Sequence, residues 1–268
     1  MEYTLLKPNV YGLYKPAGLT PLQTLDVLRE VAGISAEIPL TYAGRLDPMA
    51  EGLLLVLAGE AVHEKDVYLH LDKRYTVTAL LGVETDSLDL LGIPITTSYK
   101  LQNLYPCSWA GMTKGGIGEE QVKKLLSSYI GEITLPLPLY SSPLVSGKPL
   151  FVHAKNATLK KVDVPFRTTN IYDCRLETLH SISALELLSY IQNTIPIVQG
   201  EFRQAEILQA WKDLLEDNLK LATITFSVQC SSGTYIRSLV EKLGQDLNTN
   251  ACVYKLVRTK IGEYQMGM

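Results

Sequence analysis

The stretch TYAGRLDPMAEGLLLVLAG, residues 41–59, places two charged side chains, Arg45 and Asp47, directly before an unbroken apolar run. An ionised side chain is costly to bury unless another group pairs with it. Two such residues at the edge of a predicted core therefore need a structural or a functional explanation.

The residues around Asp47 favour a tight turn. Gly44 and Gly52 tolerate backbone conformations that other residues avoid, and Pro48 disfavours a regular helix that begins before it. In a structural interpretation, the aspartate pairs with the neighbouring arginine within this turn. In a functional interpretation, its carboxylate lies at the mouth of a site roofed by residues 53–57. Composition alone favours the structural interpretation.

The overall composition is that of an ordinary globular protein. Of 268 residues, 46% are hydrophobic and 20% are charged, and the formal net charge is -3. A chain of this length can bury a substantial core. A small negative charge disfavours a surface that binds nucleic acid all over, but it is compatible with a local basic groove.

The cysteines and the N-terminus predict a soluble, cytoplasmic protein. The four cysteines are far apart and form no C-x-x-C pair, a pattern that suits neither zinc binding nor a disulfide framework. The N-terminal residues lack the basic and apolar regions of a secretory signal. The apolar run at residues 52–58 is too short to span a membrane.

Hydrophobic periodicity predicts an α+β fold. Strands are predicted in residues 10–18, 73–82, 170–182, 221–230 and 251–264. Helices are predicted between Thr20-Pro21 and Gly33, and in residues 61–71, 119–131, 183–191, 202–215 and 231–247. Because these elements do not alternate regularly, we expect a central mixed, largely antiparallel sheet flanked by helices.

Three connecting segments carry no regular pattern. Residues 83–92 form an acidic, turn-rich connection, in which Glu84, Asp86 and Asp89 could suggest a divalent-ion site by composition. A solvated acidic turn is the preferred interpretation. Residues 93–117 are predicted to be a surface excursion, and the proline-rich first half of residues 135–155 an ordered loop.

Five segments, in this order along the chain, resemble those of the TruB family of tRNA pseudouridine synthases. The pattern G-x-L-D-P-x-A-x-G-x-L is met between Gly44 and Leu54. The other four segments are GLYKPAGLT (12–20), KRYTVTALLGVETDSLDLLG (73–92), YSSPLVSGKPLFVHAK (140–155) and CSSGTYIRSLVEKLG (230–244). Together they extend over nearly the whole chain, so a chance match does not explain them.

The resemblance implies a pseudouridine synthase-like fold with RNA-binding loops. Enzymes of this family detach a uracil base from its ribose, rotate it and rejoin it through carbon, which needs one carboxylate and no cofactor or metal. Asp47 would supply that carboxylate, as nucleophile or as base. The implied substrate is the T-loop uridine at position 55 of tRNA, bound by its T-arm to a monomeric enzyme.

The resemblance assigns catalytic roles to two further residues. Tyr75 would stack on the uracil after it has been flipped out of folded RNA. Arg237 would keep Asp47 ionised and oriented, and its helical spacing places it beside predicted buried positions. Without the resemblance, a core tyrosine and a surface arginine would be the default interpretations.

Contacts to the RNA are implied as well. Tyr42 stands where much of the family has a histidine that helps to open the RNA loop, and we expect its ring to stack or wedge there. Arg45 would face the RNA backbone, and Tyr235 would line the pocket, although core packing explains the tyrosine nearly as well. Further substrate-binding candidates are Lys73, Arg74, Tyr140, Lys148 and His153. Other cations that could form a basic groove are Lys114, Lys123, Lys124, Lys155, Lys160, Lys161 and Arg167.

The chain departs from many family members in its organisation. We expect residues 1–268 to form a single catalytic domain, with an inserted helical excursion around residues 183–217. We expect no C-terminal RNA-binding domain of the PUA type, so the catalytic domain's own groove must bind the RNA. In the YSSPL segment, Leu144 replaces a lysine that would contact RNA.

Three alternatives to this function stay open. The protein could modify T-loop-like hairpins of other RNAs, or it could be a catalytically silent protein that binds or folds tRNA. It could also be a synthase of the RluA or RsuA type, which shares the R-L-D motif. The set of Asp47, Tyr75 and Arg237 disfavours a silent binder, and Pro48 together with GTYIR favours TruB.

Overall fold

The computed structural model describes residues 2–95, 117–156, 164–215 and 219–265. The strands are β1 (Tyr3–Lys7), β2 (Val10–Lys15), β3 (Leu40–Ala43), β4 (Glu51–Ala58), β5 (Lys73–Leu81), β6 (Glu84–Thr85), β7 (Pro94–Ile95), β8 (Gly131–Pro136), β9 (Leu144–Val145), β10 (Lys148–Pro149), β11 (Phe166–Ser183), β12 (Lys220–Cys230), β13 (Ala251–Ile261) and β14 (Tyr264–Gln265). The α-helices are α1 (Pro21–Val31), α2 (Lys65–Leu69), α3 (Glu119–Ser128), α4 (Leu150–Lys155), α5 (Ala184–Thr194), α6 (Gln204–Leu214) and α7 (Ile236–Asp246). Short 3-10 helices cover Gly59–Glu64 and Ile195–Ile197. Within these ranges no helix is long and apolar enough to cross a membrane.

Ten of the strands form one mixed sheet. Its order is β1-β2-β4-β13-β5-β12-β11-β8, with β3 paired to β4 and β14 paired to β13. Among the described strands, β4 and β13 run parallel and the other neighbours in this sheet run antiparallel. The predicted α+β class with a mixed, largely antiparallel sheet is confirmed. The parallel pair joins Gly52 to Arg258, just after the turn that carries Asp47.

Strand β12 and helix α7 build the core beside this turn. The alternating residues Ile224 and Phe226 of β12 are buried in the same cluster as Leu239 and Leu243 of α7. The helix begins later than the predicted residues 231–247, because the chain before it turns at a glycine and then runs extended. Residues 231–235 are therefore a loop rather than the first turn of a helix.

The helical excursion predicted around residues 183–217 is helical in its described part. Ser183 caps α5 through a reciprocal capping box with Glu186. Trp211 of α6 is buried, and its indole N–H donates to the carbonyls of Leu90 and Gly92 at 3.3 and 3.2 Å. These contacts make the excursion part of the core, packed on the connection between β5 and β7.

Several elements differ from the sequence predictions. Residues 61–71 form a 3-10 helix followed by the short α2 instead of one helix. Strands β1, β3, β4 and β8 were not predicted. Strand β1 is mostly exposed, β3 has four residues, β4 is an unbroken apolar run after Glu51, and β8 reaches into the segment expected to be a loop. Most of the predicted surface excursion at residues 93–117 lies outside the described residues.

Gly52 lets β4 and β13 approach closely. It has a φ of +106°, and a Cβ at this position would lie 2.8 Å from the amide nitrogen of Arg258. An alanine at this position is strained by the positive φ and also collides with the neighbouring strand. Because the two strands must separate to make room, we expect Gly52→Ala to lower the free energy of unfolding by about 2 kcal/mol more than the strain of the positive φ does by itself.

Gly131→Ala is the matched control for this variant. Gly131 has a φ of +112°, yet a Cβ there would have no atom within 4 Å. Urea denaturation of both variants gives the two free energies of unfolding. If both variants lose the same free energy of unfolding, the close contact between β4 and β13 does not add to the cost of a side chain at position 52.

Candidate active site

A cavity of about 780 Å³ lies where the turn after β3, the start of β5 and the loop before α7 meet. We call it the central cavity. Its lining comes from segments that are far apart in the sequence, among them residues 44–48, Lys73, Tyr75, residues 140–143, residues 201–203 and residues 232–237. Residues 53–57 do not roof it as predicted. They lie in β4, where alternate side chains pack into separate buried clusters.

Asp47 and Arg237 form an ion pair at the cavity wall. The arginine Nε lies 2.8 Å from Oδ2 of Asp47, and Nη2 donates a hydrogen bond to Oδ1 at 3.3 Å. The side chain of Arg237 is 4% exposed and that of Asp47 is 37% exposed, so a ligand in the cavity can reach the carboxylate but hardly its partner. The structure brings the predicted pair together, and the ionic partner of Asp47 is Arg237 rather than Arg45.

Further acceptors hold the guanidinium of Arg237 in place. Nη1 donates to the carbonyl of Ser87 at 2.7 Å, and Nη2 donates to the carbonyl of Tyr140 at 3.1 Å. Burial alone would lower the pKa of Arg237, but the carboxylates of Asp47 and Asp89 raise it above its ordinary value. A guanidinium fixed in this way defines the orientation of the Asp47 carboxylate.

Asp89 is a second carboxylate behind Arg237. Its Oδ1 accepts hydrogen bonds from the Ser87 hydroxyl at 2.6 Å and the Leu91 amide at 3.0 Å, and its Oδ2 lies 3.9 Å from the arginine Nε. Burial raises the pKa of Asp89 to about 6, although the positive charge of Arg237 lowers this pKa. The predicted solvated acidic turn is wrong here, because the apolar residues of this connection pack against α6 and bury the aspartate.

Arg258 holds one side of the turn that carries Asp47, and sequence reasoning missed it. Its buried guanidinium donates to the carbonyls of Leu53 at 2.8 Å, Arg45 at 3.0 Å and Gly44 at 3.3 Å. One signal was present in the sequence. Arg258 follows the buried Leu256 by two residues in a strand, so alternation places it on the inward face.

Lys15 holds the other side of the same turn. Its buried ammonium donates to the carbonyls of Leu19 at 2.7 Å, Pro16 at 3.0 Å and Pro48 at 3.2 Å. Burial lowers the pKa of Lys15 to about 7. Sequence reasoning missed this residue too, although it follows the buried Leu13 by two residues in β2.

Four tyrosines predicted for the site line the cavity: Tyr42, Tyr75, Tyr140 and Tyr235. Tyr75 is buried in β5, and this burial raises its pKa to about 12, so its hydroxyl stays neutral at physiological pH. The ring of Tyr235 has the Arg167 guanidinium carbon 5.9 Å from its centroid. Tyr42 lies on β3 with the Lys65 ammonium 5.6 Å from its ring centroid.

The predicted RNA-contacting cations do not all reach the cavity. Arg45 is exposed and lines it. Lys73 lines it as well, but its ammonium is buried and donates to the carbonyl of Leu69 at 2.6 Å and to the Ser232 hydroxyl at 3.3 Å. Arg74 is exposed and does not line the cavity, because strand alternation places it on the face of β5 opposite its neighbours.

Other predicted contacts come from residues 140–155. Tyr140 lines the cavity, whereas Lys148 of β10 and His153 of α4 do not. The His153 Nε2 lies 2.9 Å from the carbonyl oxygen of Val145. Of the other predicted cations, Lys155 and Arg167 also line the cavity. Lys123 and Lys124 lie on α3 and do not line it. Three more lie outside the described residues: Lys114, Lys160 and Lys161. The RNA-binding roles of all these residues stay predictions.

Comparison with known proteins leads to the same family as the sequence motifs. The model of the TruB family pseudouridylate synthase (N terminal domain) matches residues 36–195. The tRNA pseudouridine synthase B of Caldicellulosiruptor saccharolyticus is 26% identical over 94% of this chain and 67% of its own length. The protein of the same name from Tolumonas auensis is 29% identical over 96% of this chain and 61% of its own length. The chain thus spans about two thirds or less of these relatives.

Two solved structures share the fold. A Cbf5-Nop10-Gar1 complex contains a chain that is 18% identical, with a TM-score of 0.55 over 96% of this chain and 50% of that one. An H/ACA RNP bound to a substrate RNA containing 2′-deoxyuridine contains another, 17% identical, with a TM-score of 0.53 over 96% of this chain and 48% of that one. At these identities the similarity shows the fold alone, and it confirms the predicted fold class.

The raised pKa of Asp89 predicts a pH-dependent stability. A carboxyl group with a pKa of about 6 in the folded protein binds its proton more tightly there than in the unfolded chain. Its stabilising contribution is therefore complete below about pH 4 and is lost as the pH rises through about 6. Asp89→Asn cannot titrate, so the stability of wild type minus that of the variant should fall by up to about 3 kcal/mol between about pH 4 and pH 7. Urea denaturation at each pH measures this difference, and a constant difference would contradict the shift.

Proposed function

Because the chain belongs to the TruB family of pseudouridylate synthases, we propose that it converts a uridine of RNA into pseudouridine. The proposed substrate is the T-loop uridine at position 55 of tRNA, and the curated relatives are named for tRNA. One observation carries the proposal: the accessible carboxylate of Asp47 lines the central cavity and is fixed from behind by the buried Arg237.

The proposed reaction is an isomerisation. The bond between ribose C1′ and uracil N1 breaks with its electron pair left on N1, the base turns, and a bond forms between C1′ and C5. C5 then loses its proton and N1 takes one up, so that the atoms and the charge balance. A carboxylate supports such chemistry either by attacking as a nucleophile or by accepting a proton. Because both oxygens of Asp47 lie within 3.3 Å of Arg237 nitrogens, the carboxylate meets the substrate in one orientation.

Tyr75 supplies the surface for the base. A uracil in folded RNA is stacked on its neighbours, and flipping it out costs roughly a few kcal/mol. Stacking on an aromatic ring returns about 1 to 3 kcal/mol of this. The Tyr75 ring lines the same cavity as the Asp47 carboxylate. We therefore assign Tyr75 to the flipped base.

Exposed arginines at the cavity suit the RNA backbone. The chain is slightly acidic overall, with a net charge of -3, so phosphate binding requires a local cluster of positive charge. Arg45 and Arg167 both line the cavity and are exposed. We assign these two residues to phosphate contacts and Tyr42 to the opening of the RNA loop.

The proposal treats residues 1–268 as the catalytic domain, with helical residues around 183–217 inserted into it. The monomeric state and the cytoplasmic location stay predictions from the sequence.

The direct test is pseudouridine formation at position 55 of an unmodified tRNA transcript. Asp47→Asn keeps the size of the side chain but removes the negative charge, so we expect the rate to fall by more than about 100-fold. Asp173→Asn is the control. Asp173 pairs with Arg175 at 2.7 Å and does not line the cavity, so this variant should keep the wild-type rate.

Each other outcome of this assay has a definite meaning. An active Asp47→Asn variant would exclude Asp47 as the essential carboxylate. If wild type binds the transcript but converts no uridine in it, position 55 is not its target. The same assay on T-loop-like hairpins from other RNAs then separates an enzyme with another substrate from a silent tRNA-binding protein.

The role of Tyr75 is tested with a pair of variants. Tyr75→Leu keeps an apolar side chain but removes the ring, so we expect the rate to fall by roughly 5- to 150-fold, which corresponds to the loss of about 1 to 3 kcal/mol of stacking. Tyr75→Phe keeps the ring and should stay close to wild type. Single-turnover rates on the tRNA transcript measure both, and equal rates for the two variants would contradict the stacking role.

A further inference from the structure

The helical excursion contributes one wall of the central cavity. Residues 201–203, between α5 and α6, line it, although the sequence motifs assign no site residue to this segment. At the end of this wall, Arg203 extends its side chain toward residues of two other segments. This arrangement connects the excursion to the catalytic pair.

The guanidinium of Arg203 joins Asp86 and Tyr140. It forms an ion pair with Asp86 at 2.8 Å, and its central carbon lies 4.9 Å from the centroid of the Tyr140 ring. The Tyr140 hydroxyl completes the cluster by donating to Asp86 Oδ2 at 3.3 Å. The side chains of Arg203 and Asp86 are only 29% and 23% exposed, so solvent screens this pair less than an ordinary surface pair.

The backbone keeps Arg203 in this position. Arg203 has a left-handed φ of +60° at the N-cap of α6, a conformation that is uncommon for residues other than glycine. The side chain of the next residue, Gln204, holds the backbone around Arg203 in this conformation. It accepts from the Phe202 amide at 3.1 Å and donates to the carbonyls of Val198 and Gly200, both at 2.8 Å. Such conformations persist where the surroundings determine them.

Tyr140 connects this cluster to the catalytic pair. Its carbonyl oxygen accepts from Arg237 Nη2 at 3.1 Å, and the same nitrogen donates to Asp47 Oδ1 at 3.3 Å. A displacement of the Tyr140 backbone would therefore turn the guanidinium of Arg237. The carboxylate of Asp47 would turn with it.

We propose that Arg203 is a positioning residue: together with Asp86 it fixes Tyr140 and thereby sets the orientation of the Arg237–Asp47 pair. This inference rests on the proposed function. The other role open to an arginine in this cavity is a phosphate contact, which its surroundings disfavour. Asp86 already neutralises the charge of Arg203, and the ring of Tyr140 covers part of its guanidinium.

The test separates the catalytic rate from RNA affinity. For Arg203→Gln, we expect the single-turnover rate at saturating enzyme to fall by about 10- to 100-fold while the Kd for the tRNA transcript changes less than about twofold. Arg203→Lys keeps a positive charge near Asp86 and should recover part of the rate. Arg175→Gln is the matched control, because Arg175 pairs with Asp173 at 2.7 Å, is 77% exposed and does not line the cavity. This control should keep the wild-type rate.

A double-mutant cycle with Asp86→Asn provides a second, independent measurement. Asparagine is isosteric with aspartate but breaks the ion pair, so this variant tests the proposal even if Arg203→Gln does not fold. Because both variants disrupt one interaction, the double variant should be little slower than the slower single variant. Fully additive losses would overturn the coupling between Arg203 and Asp86.

Four further outcomes would contradict the proposal. A higher Kd with an unchanged saturated rate would make Arg203 an RNA ligand. A lower Tm with unchanged rate and Kd would make it a purely structural residue. If the Arg203→Gln variant keeps the full wild-type activity, only the positioning role of Arg203 is overturned. If the wild-type protein forms no pseudouridine in any tested RNA, the proposed function is overturned, and this inference with it.

Discussion

The ion pair between Asp47 and Arg237 is the interaction on which the arrangement of the site depends. A buried guanidinium is tolerated only where acceptors surround it, and removing one partner of such a pair typically costs about 3 to 5 kcal/mol. Here the acceptors are the carboxylate of Asp47 and the carbonyls of Ser87 and Tyr140, and the carboxylate of Asp89 adds a longer ionic contact at 3.9 Å. These residues come from three segments that precede α7 in the sequence. One buried cation therefore joins the segments and orients the carboxylate that faces the cavity.

The same principle explains the other buried cations near the site. An irregular turn leaves carbonyl oxygens without strand partners, and buried carbonyls need hydrogen-bond donors. Arg258 and Lys15 supply these donors from opposite sides of the turn that carries Asp47. Where β4 meets β13, the missing side chain of Gly52 allows the two strands to run side by side and places Arg258 next to the turn. The turn that carries the Asp47 carboxylate is thus anchored to strands of the sheet.

Much of the fold could be read from local patterns. The strict alternation of residues 221–230 and the apolar stripe of α7 predicted a strand and a helix that the structure contains. The Thr20 cap predicted the start of α1. Strands β1 and β3 could not be predicted, because β1 is largely exposed and β3 has only four residues. Strand β4 is apolar after Glu51, so it carries no alternation that would distinguish it from a buried helix. Strand β8 does alternate, with Ile133 and Leu135 buried, but it is only six residues long and ends at a proline. The place of these strands follows from hydrogen bonds to neighbouring strands, which a single segment does not reveal.

For the site, the sequence by itself determined the family, which the comparisons confirm, and through its motifs singled out Asp47 and Arg237 as a pair. Tertiary structure alone decided which charged groups are buried and what they contact. Asp89 was expected in solvent and lies in the core, and Lys73 was expected on RNA and donates to the protein's own carbonyl and hydroxyl groups. The contact of Arg203 with the site had no sequence signal. Periodicity reports which face of an element is apolar, whereas the partner of a buried charge depends on which distant segment packs against that face.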